Sequence, residues 1–154
     1  MDASVFLGQL GAGLAVGMAA IGSALGAGAA GMSAAGSWAK DAKAGKGLRF
    51  MYIILVSAPI TQTVYGFLVM YPMLDKLAAA STYGGALFGI GLATGLGEML
   101  SAWMQGAIGA AGCRMLSDAE GKGFAFVIIA LGIAETVGIF TMVFMWVLLG
   151  SITV

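Results

Sequence analysis

Glu135 is the only charged residue between Gly123 and the C-terminal Val154. It lies about thirteen residues into an apolar run, near the middle of a bilayer if that run spans one. A charged side chain at that depth costs upward of about 2.5 kcal/mol. No Lys or Arg lies inside any apolar run of the chain to offset it. Glu135 must therefore be protonated, be neutralised by a bound cation, or meet a basic residue on another subunit. Each option makes it a cation-exchange site. The bland alternative is a permanently protonated, inert carboxyl, but a residue this costly inside a membrane is by default functional.

Oxygens are on offer at the same depth. Ala58, Thr61, Gln62 and Tyr65 follow i, i+3, i+4, i+7, which puts them on one helical face. Thr61 brings a hydroxyl, Gln62 an amide oxygen, and Tyr65 a phenol able to donate to a carboxylate. Pro59 has no N–H and crowds the carbonyl four residues before it, so local backbone carbonyls become available as ligands. Gln105 adds another amide oxygen. Hard cations prefer such ligands. One carboxylate among neutral oxygens carries a single negative charge, which suits a monovalent cation. A proton needs only a carboxyl and one partner, so two glutamines and a threonine around the acid favour Na⁺ over H⁺. Taken singly, each polar residue reads first as an interhelical hydrogen bond, worth about 0.6–2 kcal/mol. Their company with Glu135 is what points to a site.

Long apolar helices must position these groups. The chain has 154 residues, 60% hydrophobic and 9% charged, against about 25% charged in soluble domains. No Lys, Arg, Asp or Glu occurs in 3–39, 50–74 or 77–97. A spanning helix takes about 20 apolar residues. The pattern predicts an all-α membrane protein of four transmembrane helices, over 4–36, 49–75, 82–114 and 122–151. The first run has no basic leader segment and is too long for a cleaved signal. Tyr71-Pro72 is expected to end the second helix at the outer interface, and Trp38 to mark the inner one. Lys40, Lys43, Lys46 and Arg49 fall in the first connection and Arg114 and Lys122 beside the third, against Lys76 alone in the second. The positive-inside tendency then puts connections one and three in the cytoplasm and both termini outside.

The four helices read as two duplicated hairpins, 1–78 and 79–154. Gln62-Thr63-Val64 parallels Glu135-Thr136-Val137, and Gly45-Lys46-Gly47 parallels Gly121-Lys122-Gly123. Glycines spaced by four (Gly13 and Gly17, Gly22 and Gly26, Gly85 and Gly89, Gly91 and Gly95) allow close backbone approach between membrane helices. Helices one and three, so poor in bulk, are expected to pack against further copies. Helices two and four, richer in large apolar residues, suit lipid. The division predicts a homo-oligomeric ring, the alternative being a monomeric bundle. Zero net charge offers no field for nucleic acid. There is no histidine, the single Cys113 reads as a small buried residue, and no phosphate-binding loop occurs. The chain is expected to be non-catalytic.

The stretch Ala58-Pro59-Ile60-Thr61-Gln62-Thr63-Val64-Tyr65-Gly66-Phe67 resembles the second-helix signature of the proteolipid, the K or c subunit, of V/A-type rotary ATPases in their bacterial Na⁺-translocating form. Met104-Gln105-Gly106, Ala110-Ala111-Gly112 and Glu135-Thr136 resemble its later helices, and the likeness spans essentially the whole chain. The resemblance implies a rotor ring in the bacterial plasma membrane, turning against a stator membrane subunit with a basic residue, with a central-stalk subunit at the cytoplasmic connections. It implies Na⁺ ligands from Thr61, Gln62, Gln105, Glu135 and the Ala58 carbonyl, with Tyr65 holding the carboxylate. H⁺ is the alternative cargo, and a small four-helix cation or drug transporter the more distant one. Glu98, seven residues before Gln105, departs from the pattern. It reads as a packing acid, an access group or a second cation stop.

Overall fold

The computed structural model describes residues 2–153. Among them are five α-helices and no strand: α1 (Ala3–Lys43), α2 (Met51–Ser57), α3 (Thr61–Asp75), α4 (Ala80–Asp118) and α5 (Phe124–Gly150). Short 3₁₀ turns at Ala58–Ile60 and Lys76–Ala79 join α2 to α3 and α3 to α4. Three helical runs are long and apolar enough to cross a membrane: Ala3–Lys43, Met51–Asp118 and Phe124–Gly150. The middle run holds 68 residues. Straight, it would measure about 100 Å, over three times the roughly 30 Å of a hydrocarbon core. It is not straight: the Gln62 side chain on α3 donates to Ser101 on α4 at 3.2 Å, so the chain reverses between them.

The helices outrun the apolar stretches. α1 continues to Lys43 where the apolar run predicts 4–36, and α4 covers Ala80–Asp118 where it predicts 82–114. Composition marks where lipid contact stops, whereas hydrogen bonding decides where a helix stops. The polar end of α1 is held by Asp41, which is buried. It accepts from the Tyr52 hydroxyl at 2.9 Å and from Ser117 at 2.9 Å, and it pairs with Arg49 at 3.1 Å.

Tyr71-Pro72 does not end the second apolar helix; α3 runs on to Asp75 with Pro72 inside it. Pro72 removes the donor that Leu68 O would otherwise receive. The indole of Trp146, reaching from α5, donates to Leu68 O at 3.1 Å instead. With the orphan carbonyl satisfied, the helix has no reason to stop.

The α1–α4 contact is made by backbone meeting backbone. A Cβ at Gly106 would collide with Gly26, and one at Gly91 with the carbonyl of Gly11. Such closeness increases dispersion contact, which drives helix association where lipid removes the hydrophobic incentive. The expected glycine pairs divide here. Gly22 with Gly26 and Gly91 with Gly95 close this contact, while Gly13, Gly17, Gly85 and Gly89 have nothing within 4 Å. Two apolar clusters flank the middle of the bundle. Val69, Met73, Leu87, Ile90 and Leu149 fill one end; Tyr52, Leu55, Leu116, Val127 and Leu131 fill the other, with Cys113 buried among them. Phe126, Ile129, Ile133, Val137, Phe140, Phe144 and Val147 of α5 are exposed.

Candidate ion-carrying site

Glu135 lies near the middle of the 27-residue α5 and is half-buried. The Tyr65 hydroxyl on α3 donates to its Oε1 at 2.8 Å. Thr61 opens α3, and its hydroxyl lies 3.0 Å from Ala58 O and 3.1 Å from Gln62 Oε1. Gln62 is fully buried and donates through Nε2 to Ser101, whose hydroxyl donates to Ala134 O at 2.8 Å. Gln105 is fully buried as well. Its Nε2 donates to Leu131 O at 3.1 Å, one turn before Glu135 along α5. Its Oε1 has no partner among the described residues.

The 3₁₀ turn explains why α3 presents these groups together. Pro59 is buried at its second position. The carbonyl that loses its donor to Pro59 is Leu55 O, four residues earlier. That oxygen packs against Gly109, where a Cβ would come within 2.8 Å of it. The Ala58 carbonyl accepts from Thr61 at 3.0 Å. It remains beside Gln62 through that hydroxyl.

Of the residues singled out in the sequence, Tyr65 and Glu135 touch, Ala58, Thr61 and Gln62 form one hydrogen-bonded group, and Gln105 reaches α5 within a turn of Glu135. Glu98 is fully buried with neither carboxyl oxygen partnered among the described residues. Sequence reasoning missed Ser101, which ties Gln62 to the backbone beside Glu135. A signal for it existed. Thr94, Glu98, Ser101 and Gln105 are spaced 4, 3 and 4, one buried polar stripe on α4. Oxygens from α3, α4 and α5 gather where these helices meet, and such donors beside a carboxyl are what a hard cation binds.

The sequence profile of the ATP synthase C-subunit family matches residues 10–73 and 88–148. The chain belongs to that family. The two matched stretches contain Ala58, Thr61, Gln62 and Tyr65 in the first and Glu98, Ser101, Gln105 and Glu135 in the second. A curated relative, the A-type ATP synthase subunit K of Methanocaldococcus jannaschii, is 41% identical over 115 residues. The aligned part covers 74% of this C-subunit homologue and 49% of the relative; the chain thus spans about half the length of the curated relative it matches. The proteolipid resemblance carried by Ala58–Phe67 and Glu135-Thr136 therefore stands at the level of the c/K family, in a membrane protein.

Proposed function

We propose that this chain is a rotor-ring subunit of an A/V-type ATP synthase or ATPase, and that it carries Na⁺ across the membrane at Glu135. The observation that carries the reading is the 2.8 Å hydrogen bond from Tyr65 to the half-buried Glu135. It orients a mid-helix carboxylate whose charge no basic side chain among the described residues offsets. The buried, unpartnered Gln105 Oε1 supports Na⁺, since a cation is what such an oxygen would accept. Thr61, Gln62 and the Ala58 carbonyl complete the proposed ligand set.

In this reading the chain crosses the membrane four times, as hairpins 1–78 and 79–154, turning at Lys76–Ala79. The Lys- and Arg-rich connections face the cytoplasm, where a central-stalk subunit would dock. The open glycines Gly13, Gly17, Gly85 and Gly89 supply close contact between copies, and the bulky exposed face of α5 meets lipid. Loaded with Na⁺, the Glu135 site is neutral and can pass through lipid. Emptied, it is charged and must stand opposite a basic stator residue or water. The ring therefore turns through lipid only when loaded. Each ion crossing 100 mV supplies about 2.3 kcal/mol, so several per turn couple to ATP chemistry carried out on other subunits.

A proton-carrying ring is the second reading, favoured by the same hydrogen bond, because a proton on Glu135 needs no ligand beyond Tyr65. Carbodiimide labelling of Glu135 in native membranes separates the two. Na⁺ at neutral pH should slow the labelling. Labelling indifferent to Na⁺ rejects Na⁺ as cargo, and Glu135→Gln with full ion transport rejects the carrier reading.

A further inference from the structure

We infer that Glu98 holds a second monovalent cation in a subsite walled by Ser101, Gln62 and Gly138, beside the one proposed for Glu135. Glu98 is fully buried within a single chain, so a neighbouring copy in a ring has no access to it. Neither oxygen has a hydrogen-bond partner among the described residues. A Cβ added at Gly138 would come within 2.7 Å of Glu98 Oε2, 3.2 Å of Ser101 Oγ and 3.4 Å of Gln62 Cγ. Those distances name the walls. The glycine keeps α5 clear of the carboxyl.

Burying a carboxyl without a partner is costly, and burying it ionised is costlier. Among the described residues no side-chain cation relieves it. Lys76 is engaged with Ile152 O, and Arg49 with Asp41 and Leu116 O. Arg114 donates to Ser33. α1 carries no charged residue from Ala3 to Ala39. On the elements packed around Glu98, the titratable groups at its level are Glu135 of α5 and Tyr65 of α3; Tyr71 and Asp75 lie further along α3, Tyr83, Cys113, Arg114 and Asp118 lie four or more turns away on α4, and Lys40, Asp41 and Lys43 stand at the far end of α1. Tyr65 already gives its proton to the Glu135 bond. Glu98 faces Gly138, three residues beyond Glu135 along α5, an axial offset of about 4.5 Å. The balancing cation must enter from outside, as Na⁺ or as a proton. Ser101 Oγ is the neutral oxygen that shares the Gly138 wall with Glu98 Oε2 and is there for the cation to share.

The inference rests on the Glu135 carrier reading, and two measurements on the purified native complex separate their failures. One counts ²²Na⁺ bound per chain at saturation. The other follows the protonated-carboxyl infrared band when pH or Na⁺ is changed. If Na⁺ fills the subsite, the native chain binds a second Na⁺ that Glu98→Gln loses while keeping the first. If a proton fills it, the Na⁺ count is the same in both, and Glu98→Gln loses a carboxyl band that responds to pH or Na⁺. Unchanged Na⁺ count and unchanged difference spectra overturn the inference. Glu135→Gln is scored separately: no change in it sinks the carrier reading alone. If Glu98→Gln does not assemble, Glu98→Asp keeps the acid but withdraws it from Gly138. Its second cation should bind more weakly, and behaviour identical to the native chain in both measurements overturns the inference too.

Discussion

The Tyr65 hydroxyl and Glu135 Oε1 lie 2.8 Å apart and form the direct side-chain link between the oxygen-bearing face of α3 and the acid of α5. A hydrogen bond to a charged group contributes about 1.5–3 kcal/mol, and 1.4 kcal/mol is tenfold in affinity. Tyr65→Phe should therefore raise the Na⁺ concentration that protects Glu135 from carbodiimide by about tenfold or more, with assembly intact. An unchanged protection curve would mean that Tyr65 does not hold the carboxylate.

Ser101 acts through its neighbours. It accepts from Gln62 Nε2 and donates to Ala134 O, so Ser101→Ala leaves a buried amide without its acceptor. The cost of such a loss is about 1–3 kcal/mol. Gln62 should then sample other rotamers, and Na⁺ protection should weaken. Ser101→Thr keeps the hydroxyl and should protect Glu135 better than Ser101→Ala; equal curves for the two variants would show the bridge to be irrelevant.

The glycines give a contrast that separates folding from assembly. Gly106→Ala forces a methyl into the Gly26 backbone, and overpacking typically costs about 1–3 kcal/mol. It should lower the thermal stability of the single chain in detergent. Gly89→Ala meets nothing within 4 Å inside the chain, so it should leave that stability alone and reduce only the yield of the oligomer. A Gly89→Ala variant that assembles normally would remove this face from the proposed ring contact.

The helical class and the charge-free runs were legible because apolar composition over twenty or more residues has few other meanings. The polar face of α3 was legible from spacing alone, and the structure puts Tyr65 of that face on Glu135. Three features were not. Which glycines close the α1–α4 contact depends on how the two helices are rotated, and every glycine in a four-residue series looks alike in sequence. Pro72 reads as a stop because the donor that replaces its missing N–H comes from Trp146, 74 residues later. Ser101 was overlooked because a helical serine ordinarily bonds its own preceding turn, and only the arrival of Gln62 from α3 turns it into a bridge.

Trp146 offers a test of that compensation. Trp146→Phe keeps a ring against α3 but leaves Leu68 O without a donor. The expected loss is about 0.6–2 kcal/mol, the range for interhelical hydrogen bonds in membranes. Replacing Pro72 by Ala restores the backbone N–H in the same helix, so Trp146→Phe should cost less in the Pro72→Ala background. Equal costs in both backgrounds would separate Trp146 from Pro72.

The two basic connections are also tied to each other, by Lys46 and Glu120 at 2.8 Å. The hydrogen bond and charge of Lys46 hold the Glu120 carboxyl below its ordinary 4.5. A carboxyl whose folded value is depressed stabilises the folded arrangement above its unfolded value and loses that contribution as pH falls through the folded one. The tie is therefore intact at neutral pH and opens only below about pH 4.5. Both partners are exposed, so the contribution is small and salt screens it. Amide exchange in residues 119–123 should quicken, beyond its intrinsic pH dependence, as pH falls from about 5 to about 3, with no such step between about 6 and 8. High salt should blunt the step. Asp41 also titrates at the acid end, but its bonds run to Tyr52, Ser117 and Arg49. Glu120→Gln must therefore abolish the step if Glu120 is its source; a step that survives in this variant rules Glu120 out.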